Sequence, residues 1–279
     1  MKKLVLILFI IPSLAFGAAP TDYVSCWDLE ETSGTRIDAN TTNSNDLTDN
    51  NTVTSSSTGK VGTAADFEKG NTEYLNISDA NQAGLDITGD IGLMVWYKPE
   101  SQPPSGEGQT WASKYAAGSG AYAFMYQNSA GTMQLVAQLH DSADPTGNIG
   151  FRKNQTLSNG TWYHIAMSYD TTSNTMGYWV NGAAIGSTTG EGIVNDINNS
   201  TGNFEMGTYQ THNAYAADGL MDVVEIYNRE LTSQNVIDTY NSGSGVGCSG
   251  RGIQTVDVGA AKVNIGSNGY VGSNAYIGL

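Results

Sequence analysis

His164 is the first candidate for chemistry, because bulky aromatic residues surround it in the stretch WYHIAMSYDTTSNTMGYWVNG, residues 162–182. A histidine whose pKa lies near neutrality can serve as a general base. That role would also require a nucleophile and a carboxylate that orients the ring, and neither lies nearby in the sequence. The alternating pattern instead predicts a strand, in which His164 is a framework residue with a hydrogen-bond partner.

Other patterns of catalysis are missing from the sequence. It contains no G-x-S-x-G nucleophile motif and no glycine-rich phosphate loop that follows a strand and opens a helix. Its two cysteines, Cys26 and Cys248, are predicted to form a disulfide that ties the two ends of one domain together. The alternative is a pair of unpaired thiols, and the spacing does not suggest a zinc site.

Two polar loops carry the residue types that bind neutral sugars. Flat aromatic rings stack on the C–H faces of sugars, and amides and carboxylates bind the hydroxyl groups. The first loop, LHDSADPTGN, offers His140, Asp141 and Asp144. The second loop, GTYQTHNAYAADG, offers Tyr209, Gln210, His212 and Tyr215. The alternative for both is a polar loop whose aromatic side chains pack on the domain.

The composition narrows the partners of this chain. Charged residues make up 14% of the 279 residues, so serine, threonine, asparagine, glycine and glutamine must form much of the surface. The formal net charge is −15. A chain this acidic is not expected to bind nucleic acid by neutralising phosphates, nor to lie on an anionic membrane surface.

Residues 1–17 have the pattern of a secretory signal peptide. Lys2 and Lys3 precede an apolar run from Leu4 to Ile11, and small residues follow it. The run is about half of the roughly 20 residues that a membrane-spanning helix needs, and no later segment is long enough to span a bilayer. We therefore expect an exported protein, extracellular or at the cell surface, with a virion-associated protein as the alternative.

The elements that must position these residues are mostly short strands. Alternating segments are separated by turn-forming residues, and the Asn-Gly pair at 181–182 is a strong signal for a type I′ hairpin turn. One helix is predicted at residues 232–242, capped by Thr232 or Ser233, with one face formed by Val236, Ile237 and Tyr240. Many short strands with regular turns predict an all-β, antiparallel sandwich or barrel.

Four stretches of the chain, in order, match positions of a known family pattern. The third is the paired-strand stretch WYHIAMSYDTTSNTMGYWVNGAAIG, where Trp179 stands in place of the usual tyrosine. The matching positions of the other three are Trp27, Leu29, Glu31, Gly34 and Asp38; Gly59, Gly62, Ala65, Phe67, Tyr74 and Leu75; and Gly219, Asp222, Tyr227, Leu231 and Tyr240. Together these stretches resemble the laminin-G-like domain of the concanavalin A-like lectin/glucanase jelly-roll family. The resemblance covers about residues 23–248 and places one jelly-roll domain at 18–248.

The resemblance implies an antiparallel jelly-roll β-sandwich of two sheets, often with a bound calcium ion. It places Asp38 and Asp222 at recurrent acidic positions, so both are candidate calcium ligands, although Asp38 could instead form an Asx turn. Glucanases of this superfamily carry E-x-D-x-x-E, whose two glutamates act as nucleophile and acid/base. The nearest stretch here is LMDVVE, in which Leu220 replaces the nucleophile, so this mechanism is not expected.

A lyase of the same fold is a further alternative. QLH, residues 138–140, matches the glutamine-x-histidine motif of jelly-roll alginate lyases. Their arginine-x-glutamate-leucine motif comes earlier in the chain, whereas NREL lies later here, at 228–231, and their tyrosine- and lysine-rich motif is absent. The convergent acid and base of a lyase therefore cannot be assembled.

The tail, residues 249–279, differs from the rest because Ile-Gly, Val-Gly and Ile-Gly pairs recur every six residues from Ile265. These three pairs enclose two complete six-residue repeats, and fewer than three repeats cannot stack a core of their own. The tail is therefore either a flexible or edge-strand extension or a segment for assembly or attachment. Three classes of function remain: a non-catalytic module that binds a polysaccharide, a glycan or a surface protein; a divergent polysaccharide-degrading enzyme; and a structural appendage of a phage or cell envelope.

Overall fold

The computed structural model describes residues 18–209, 215–249 and 251, and the backbone of residues 253–257 and 262–266. The predicted signal peptide lies outside the described residues. The strands are β1 Ser25–Trp27, β2 Thr48–Asn50, β3 Thr54–Ser56, β4 Ala64–Phe67, β5 Tyr74–Ile77, β6 Ile91–Pro99, β7 Gly108–Ala116, β8 Ser119–Ser129, β9 Thr132–Asp141, β10 Asp144–Asn154, β11 Tyr163–Asp170, β12 Thr175–Val180, β13 Ala183–Thr189, β14 Phe204–Met206, β15 Gly219–Tyr227, β16 Ile253–Asp257 and β17 Lys262–Gly266. The single α-helix within the described ranges, α1, spans Ser233–Tyr240.

The strands form two antiparallel sheets that pack as a jelly-roll-like sandwich, which confirms the predicted fold class. The eight-stranded sheet has the order β13-β12-β11-β6-β15-β4-β3, with β1 also paired to β15. The seven-stranded sheet has the order β10-β9-β8-β7-β14-β5-β2. The facing sides of the two sheets supply the main apolar core, where Trp27 stacks on Phe204 with ring centroids 5.2 Å apart.

The alternation of side chains assigns each strand an inner and an outer face. In β8, Phe124 belongs to the main core, while Ala123 and Met125 point to the outer face of the seven-stranded sheet. In β9, Ala137 is inside and Val136 is outside. The outer face is also covered in part, because Ala123, Met125 and Val136 are all fully buried.

The stretch around His164 is the hairpin that the sequence predicts. β11 pairs with β12, and Asn181 and Gly182 both have positive φ, 51° and 77°, as a type I′ turn requires. Glycine is needed at 182 for a second reason, because a Cβ atom there would lie 2.6 Å from the ring of Tyr240. This turn therefore fixes the hairpin against the end of α1.

Helix α1 begins where the sequence predicts. The Thr232 side chain accepts a hydrogen bond from the backbone N–H of Asn235, whose side chain in turn accepts one from the N–H of Thr232. Val236 is fully buried, as expected, but Ile237 is 37% exposed and does not share that buried face. The helix is only eight residues long, so its buried apolar face is narrower than the sequence pattern predicted.

The predicted disulfide is confirmed between Cys26 and Cys248, which are 222 residues apart. Closing a loop of this length raises the free energy of the unfolded chain by roughly 5 kcal/mol in the chain-entropy model. Beyond it, β16 pairs with β17 as a separate two-stranded sheet. Across the described residues, we find no helix long and apolar enough to cross a bilayer.

Candidate functional site

Three of the residues predicted to bind sugars come together on the outer face of the seven-stranded sheet. His140 lies near the end of β9, and Tyr209 and Tyr215 lie on the connection between β14 and β15. The sequence did not single out Tyr115 of β7, which joins them: its ring centroid lies 5.8 Å from His140 and 5.0 Å from Tyr209. Tyr209 and Tyr215 are 5.5 Å apart. We call Tyr115, His140, Tyr209 and Tyr215 the tyrosine cluster.

The members of the tyrosine cluster differ in exposure. Tyr115 and Tyr215 are partly exposed, whereas His140 and Tyr209 are buried. The prediction that the latter two lie on open rim loops is therefore wrong in position, because His140 is part of β9 and the Tyr209 ring packs between Tyr115 and Tyr215. Burial lowers the pKa of His140, against an opposing effect of nearby backbone groups, so its ring is neutral at pH 7.

The two acids predicted beside His140 serve mainly to shape turns. Asp141 accepts hydrogen bonds from the backbone N–H groups of Ala143 and Asn195. Asp144 is exposed and accepts from Thr146 and the N–H of Gly147; the hydrogen bond from Thr146 is the main reason why its pKa is lowered. The predicted site residues Gln210 and His212 lie outside the described residues.

Gln138 lies two residues before His140, on the same outer face of β9. Its side chain is buried, and its carbonyl oxygen accepts no hydrogen bond from the described part of the chain. A buried acceptor without a donor is unfavourable by about 1–3 kcal/mol unless water or a ligand satisfies it. Gln138 therefore adds a hydrogen-bonding group beside the tyrosine cluster.

Asp38, one predicted metal ligand, has its carboxylate taken up by the backbone. Its Oδ1 accepts from the N–H groups of Cys26 and Asn40, and its Oδ2 from that of Asn45. The bond to Asn40, two residues on, is the Asx-turn geometry that the sequence left as the alternative. Burial nevertheless raises the pKa of Asp38.

Asp222, the second predicted ligand, lies fully buried in β15. Its Oδ2 accepts from the N–H groups of Lys60 and Val61, at 2.6 and 2.8 Å. Its Oδ1 has no partner among the described residues, and burial raises the pKa of the carboxyl to about 8. Neither Asp38 nor Asp222 belongs to a cluster of three potential metal ligands in the described ranges.

A different set of carboxylates does converge. Asp66 of β4, Glu68 just after it, and Glu100 just after β6 have ligand atoms within 4.8 Å of one another. We call these three residues the carboxylate cluster. Burial is the largest cause that raises the pKa of each, and repulsion from neighbouring carboxylates adds to it. Lys98 acts in the opposite direction and lowers the pKa of Asp66 and of Glu100. Asp66 Oδ1 is buried and has no partner among the described residues. A set of carboxylate oxygens with one unsatisfied atom is a donor set that fits calcium.

His164 lies on the outer face of the eight-stranded sheet, in register with Trp96 of β6. It is 1% exposed, its ring centroid is 5.1 Å from that of Trp96, and Tyr240 covers it at 5.9 Å. Its backbone N–H donates to Asn181, but neither ring nitrogen has a partner within the described part of the chain. The sequence predicts a hydrogen-bond partner for this side chain, and the described residues supply none. The ring is buried from solvent, and this burial lowers its pKa to about 3, so the ring is neutral.

In β15, the strand that resembles the glucanase motif, the side chains at the motif positions have structural roles. Leu220 is buried at the position of the absent nucleophile. Glu225 forms a fully buried ion pair with Arg251 and also accepts a hydrogen bond from the Tyr227 hydroxyl. A β-bulge between Asp222 and Glu225 further interrupts the regular spacing on which that motif depends.

The comparison with protein families gives one result. A family model described as the concanavalin A-like lectin/glucanase superfamily matches residues 69–237. That range begins just after β4 and ends within α1, so it contains most strands of both sheets. No curated protein sequence matches the chain.

Solved structures of similar fold include one domain of an arabinanase and the binding domains of two toxins. Domain 4 of AbnA, an extracellular GH43 arabinanase from Geobacillus stearothermophilus in complex with arabinotriose, is 18% identical, with a TM-score of 0.56 over 78% of this chain and 97% of that domain. The binding domain of Paraclostridial Mosquitocidal Protein 1 is 14% identical, with a TM-score of 0.61 over 80% of this chain and 52% of that one. The binding domain of botulinum neurotoxin serotype G is 14% identical, with a TM-score of 0.57 over 78% and 50%. This chain therefore spans about half of each toxin binding domain, and at these identities the likeness establishes the fold.

Proposed function

Because this chain belongs to the concanavalin A-like lectin/glucanase superfamily, we propose that it is an exported, non-catalytic module that binds a neutral glycan. The glycan would lie against the tyrosine cluster on the outer face of the seven-stranded sheet. The observation that carries the proposal is the pair of partly exposed rings, Tyr115 and Tyr215, held in place by the buried ring of Tyr209. Rigid aromatic rings of this kind can stack on the C–H faces of sugars.

Polar groups beside the rings support a neutral ligand. The unsatisfied carbonyl oxygen of Gln138 can accept a hydrogen bond from a sugar hydroxyl. The neutral ring of His140 offers one donor and one acceptor. The tyrosine cluster contains no lysine or arginine, so a sulfated or acidic glycan would find no counter-charge there. Domain 4 of the arabinanase, which has the same fold, was solved with a neutral trisaccharide.

The same geometry supports binding without catalysis. The carboxylates of the strand that resembles the glucanase motif are buried, and Glu225 is held by Arg251. His164, the candidate base, is sealed beneath Tyr240 on the outer face of the other sheet. A retaining glycosidase needs two carboxyl groups roughly 5–5.5 Å apart on either side of the substrate, and β15 offers none at the surface.

We further propose that the carboxylate cluster holds a calcium ion. Asp66, Glu68 and Glu100 would supply oxygen ligands, and Asp66 Oδ1 would gain the partner that it lacks among the described residues. The ion would offset the repulsion among these carboxylates and fix the ends of β4 and β6 relative to each other. It would act as a structural ion, since β4 and β6 belong to the eight-stranded sheet, whereas the tyrosine cluster lies on the outer face of the seven-stranded sheet.

Export and the limits of the module belong to the same proposal. The disulfide between Cys26 and Cys248 is stable in oxidising compartments, which supports an extracellular location and removal of residues 1–17. Cys248 and the buried ion pair of Arg251 anchor the chain just before β16, which supports a module that ends near residue 248. The tail beyond it would attach the module to an assembly.

Calorimetric titration of the mature protein with neutral trisaccharides tests the glycan proposal. The panel is arabinotriose, xylotriose, cellotriose and maltotriose. We expect at least one to bind, and Tyr115→Ala to weaken that binding by about 10- to 100-fold, since a stacked aromatic ring contributes on the order of 1–3 kcal/mol. Thr54→Ala, an exposed site on β3 of the other sheet, is the matched control and should bind as the wild type does. Binding that survives Tyr115→Ala unchanged would place the site elsewhere, and release of reducing sugar would contradict a non-catalytic role.

A further inference from the structure

We propose that a cleft at the edge of the seven-stranded sheet is a second binding site for a neutral saccharide. This edge cleft opens to solvent and has a volume of about 430 Å³. That volume lies within the roughly 300–1,000 Å³ of typical small-molecule sites. The edge cleft is formed by the segment that leads into β2, by β5 and by the turn after β5; its lining includes Asp46, Thr48, Asn76, Ile77, Ser78 and Asn81.

The walls of the edge cleft are held in place from behind. Asn45 joins the two walls: its Oδ1 accepts from the N–H of Ala83 at 2.7 Å, and its Nδ2 donates to the carbonyl of Ala83 at 2.8 Å. Lys114, whose side chain is fully buried, donates to Asp79 at 2.5 Å and so fixes the turn that carries Ser78 and Asn81. A cleft with fixed walls loses little conformational entropy when a ligand binds.

The polar groups that face the edge cleft are largely uncommitted. Asp46 Oδ1 accepts from the N–H of Asp38, but its Oδ2 has no hydrogen-bond partner among the described residues. Asn76 Oδ1 accepts from Asn50, which leaves the Nδ2 amide hydrogens of Asn76 free to donate. Ser78 occupies the N-cap position of a 3₁₀ turn, yet its hydroxyl makes no capping hydrogen bond.

The contrast with neighbouring amides is informative. Asn40, Asn43 and Asn45 precede the lining residue Asp46 in the chain, and each donates its side-chain amide to backbone carbonyls. Those amides hold the loop together, whereas Asn76 and Ser78 keep unused groups directed to the cleft side. Buried and half-buried polar groups normally find partners, so a row of uncommitted groups around one cavity indicates a surface that binds solvent or a polar ligand.

The chemistry of the lining selects a neutral, hydroxyl-rich ligand. One carboxylate oxygen accepts, an amide donates, and hydroxyls of Thr48 and Ser78 do both, which matches adjacent hydroxyl pairs on a sugar ring. Ile77 also lines the cleft, but it belongs to the main core and is only 8% exposed, so the ligand contacts are mainly polar. The carboxylate of Asp46 and the lack of any basic group in the lining disfavour an anion.

The edge cleft is separate from the tyrosine cluster. His140 lies on β9, and Asn76 lies on β5, four steps away in the strand order of the same sheet. At about 4.8 Å per step, the two strands are roughly 19 Å apart. The inference rests on the proposed function for the class of ligand, and it adds that one sheet offers two saccharide sites that a single glycan chain could occupy together.

Titration of the mature protein with the trisaccharide panel, followed by the side-chain amide NMR signals of asparagine, tests this inference. The wild type should show two binding events, and saturation should shift the Asn76 side-chain signals. Asn76→Ala should weaken the second event by about 10-fold, the effect of one lost hydrogen bond. Asp46→Asn keeps the Oδ1 acceptor for the N–H of Asp38 but replaces the free Oδ2. This variant should weaken the second binding event by about 10- to 100-fold, since a charge-assisted hydrogen bond is lost.

Thr54→Ala is again the control, and thermal unfolding of each variant separates lost binding from lost folding. Cleft variants that bind as Thr54→Ala does would overturn the inference, and the proposed function would stand if Tyr115→Ala still weakened binding. Binding lost in the cleft variants but kept in Tyr115→Ala would support the edge cleft and overturn the tyrosine cluster as the main site. No binding of any trisaccharide by the wild type would overturn both.

Discussion

Asp222 lies directly opposite Trp96 on the neighbouring strand, and each holds a buried polar atom that no described residue satisfies. His164 continues the row on the next strand, opposite Trp96 on its other side. The row lies on the outer face of the eight-stranded sheet, where the disulfide and Tyr240 cover it. The row therefore contains two titratable groups, Asp222 and His164, that the folded protein holds in their neutral forms. Both groups should make the stability of the protein depend on pH.

Asp222→Asn should change how stability falls with pH. The pKa of Asp222 is raised to about 8 in the folded protein from 3.8, so the folded state keeps a proton that the unfolded state loses. That stabilisation is complete below about pH 4 and is lost as the pH rises towards 8, with a slope of up to about 1.4 kcal/mol per pH unit. Asparagine has no proton to lose, so the variant should lack this slope. Urea unfolding at pH 5, 7 and 9 measures it, and parallel curves for the two proteins would contradict the assignment.

His164→Phe should act in the opposite direction. Burial lowers the pKa of His164 to about 3 from 6.5, so the unfolded state binds a proton that the folded state does not. Stability is therefore lost as the pH falls from 6.5 towards 3, and phenylalanine removes this loss. The variant should unfold at a lower pH than the wild type in an acid titration followed by tryptophan fluorescence. Its binding to the trisaccharide panel should be unchanged; a loss of binding in a folded variant would mean that His164 has a functional role.

Local features of the fold were predictable from the sequence. The turn at Asn181 and Gly182 and the cap at Thr232 depend on residues within a few positions of each other. The disulfide followed from the only two cysteines of a chain expected to be exported. In each case the interaction that decides the structure is short in sequence or unique in composition.

The candidate sites were less predictable because register and alternation decide them. The sequence placed His140 in a loop, but the residue belongs to β9, and its ring contacts that of Tyr115 from a different strand. The carboxylate cluster joins residues on either side of β15, since Leu220 pairs with Asp66 on one side and with Lys98 on the other. No local pattern links Asp66 to Glu100, so only the strand order reveals their proximity.

Replacing one partner of the ion pair between Glu225 and Arg251 should destabilise the protein more than replacing both. Both side chains are almost completely buried, and Arg251 also donates to the carbonyl of Pro20, so the pair joins the two ends of the domain. Glu225→Gln leaves an unpaired buried guanidinium and should destabilise the protein by about 3–5 kcal/mol. The double variant Glu225→Gln, Arg251→Met removes both charges and should recover part of that loss. Equal destabilisation in the single and double variants, measured by urea unfolding, would mean that the charges do not interact.

Calcium should stabilise the protein through the carboxylate cluster rather than through Asp38 or Asp222. Ligands that bind only the folded state raise its stability by mass action, about 2.7 kcal/mol at a hundredfold excess over the dissociation constant. We therefore expect added calcium to raise the melting temperature of the wild type and EGTA to reverse the change. Asp66→Asn combined with Glu100→Gln should abolish the calcium response, and it should also raise the melting temperature without calcium, because it removes repulsion between carboxylates with raised pKa values. Asp222→Asn, which leaves the cluster intact, should respond to calcium as the wild type does; a response lost in that variant and kept in the double variant would return the metal site to the residue that the sequence singled out.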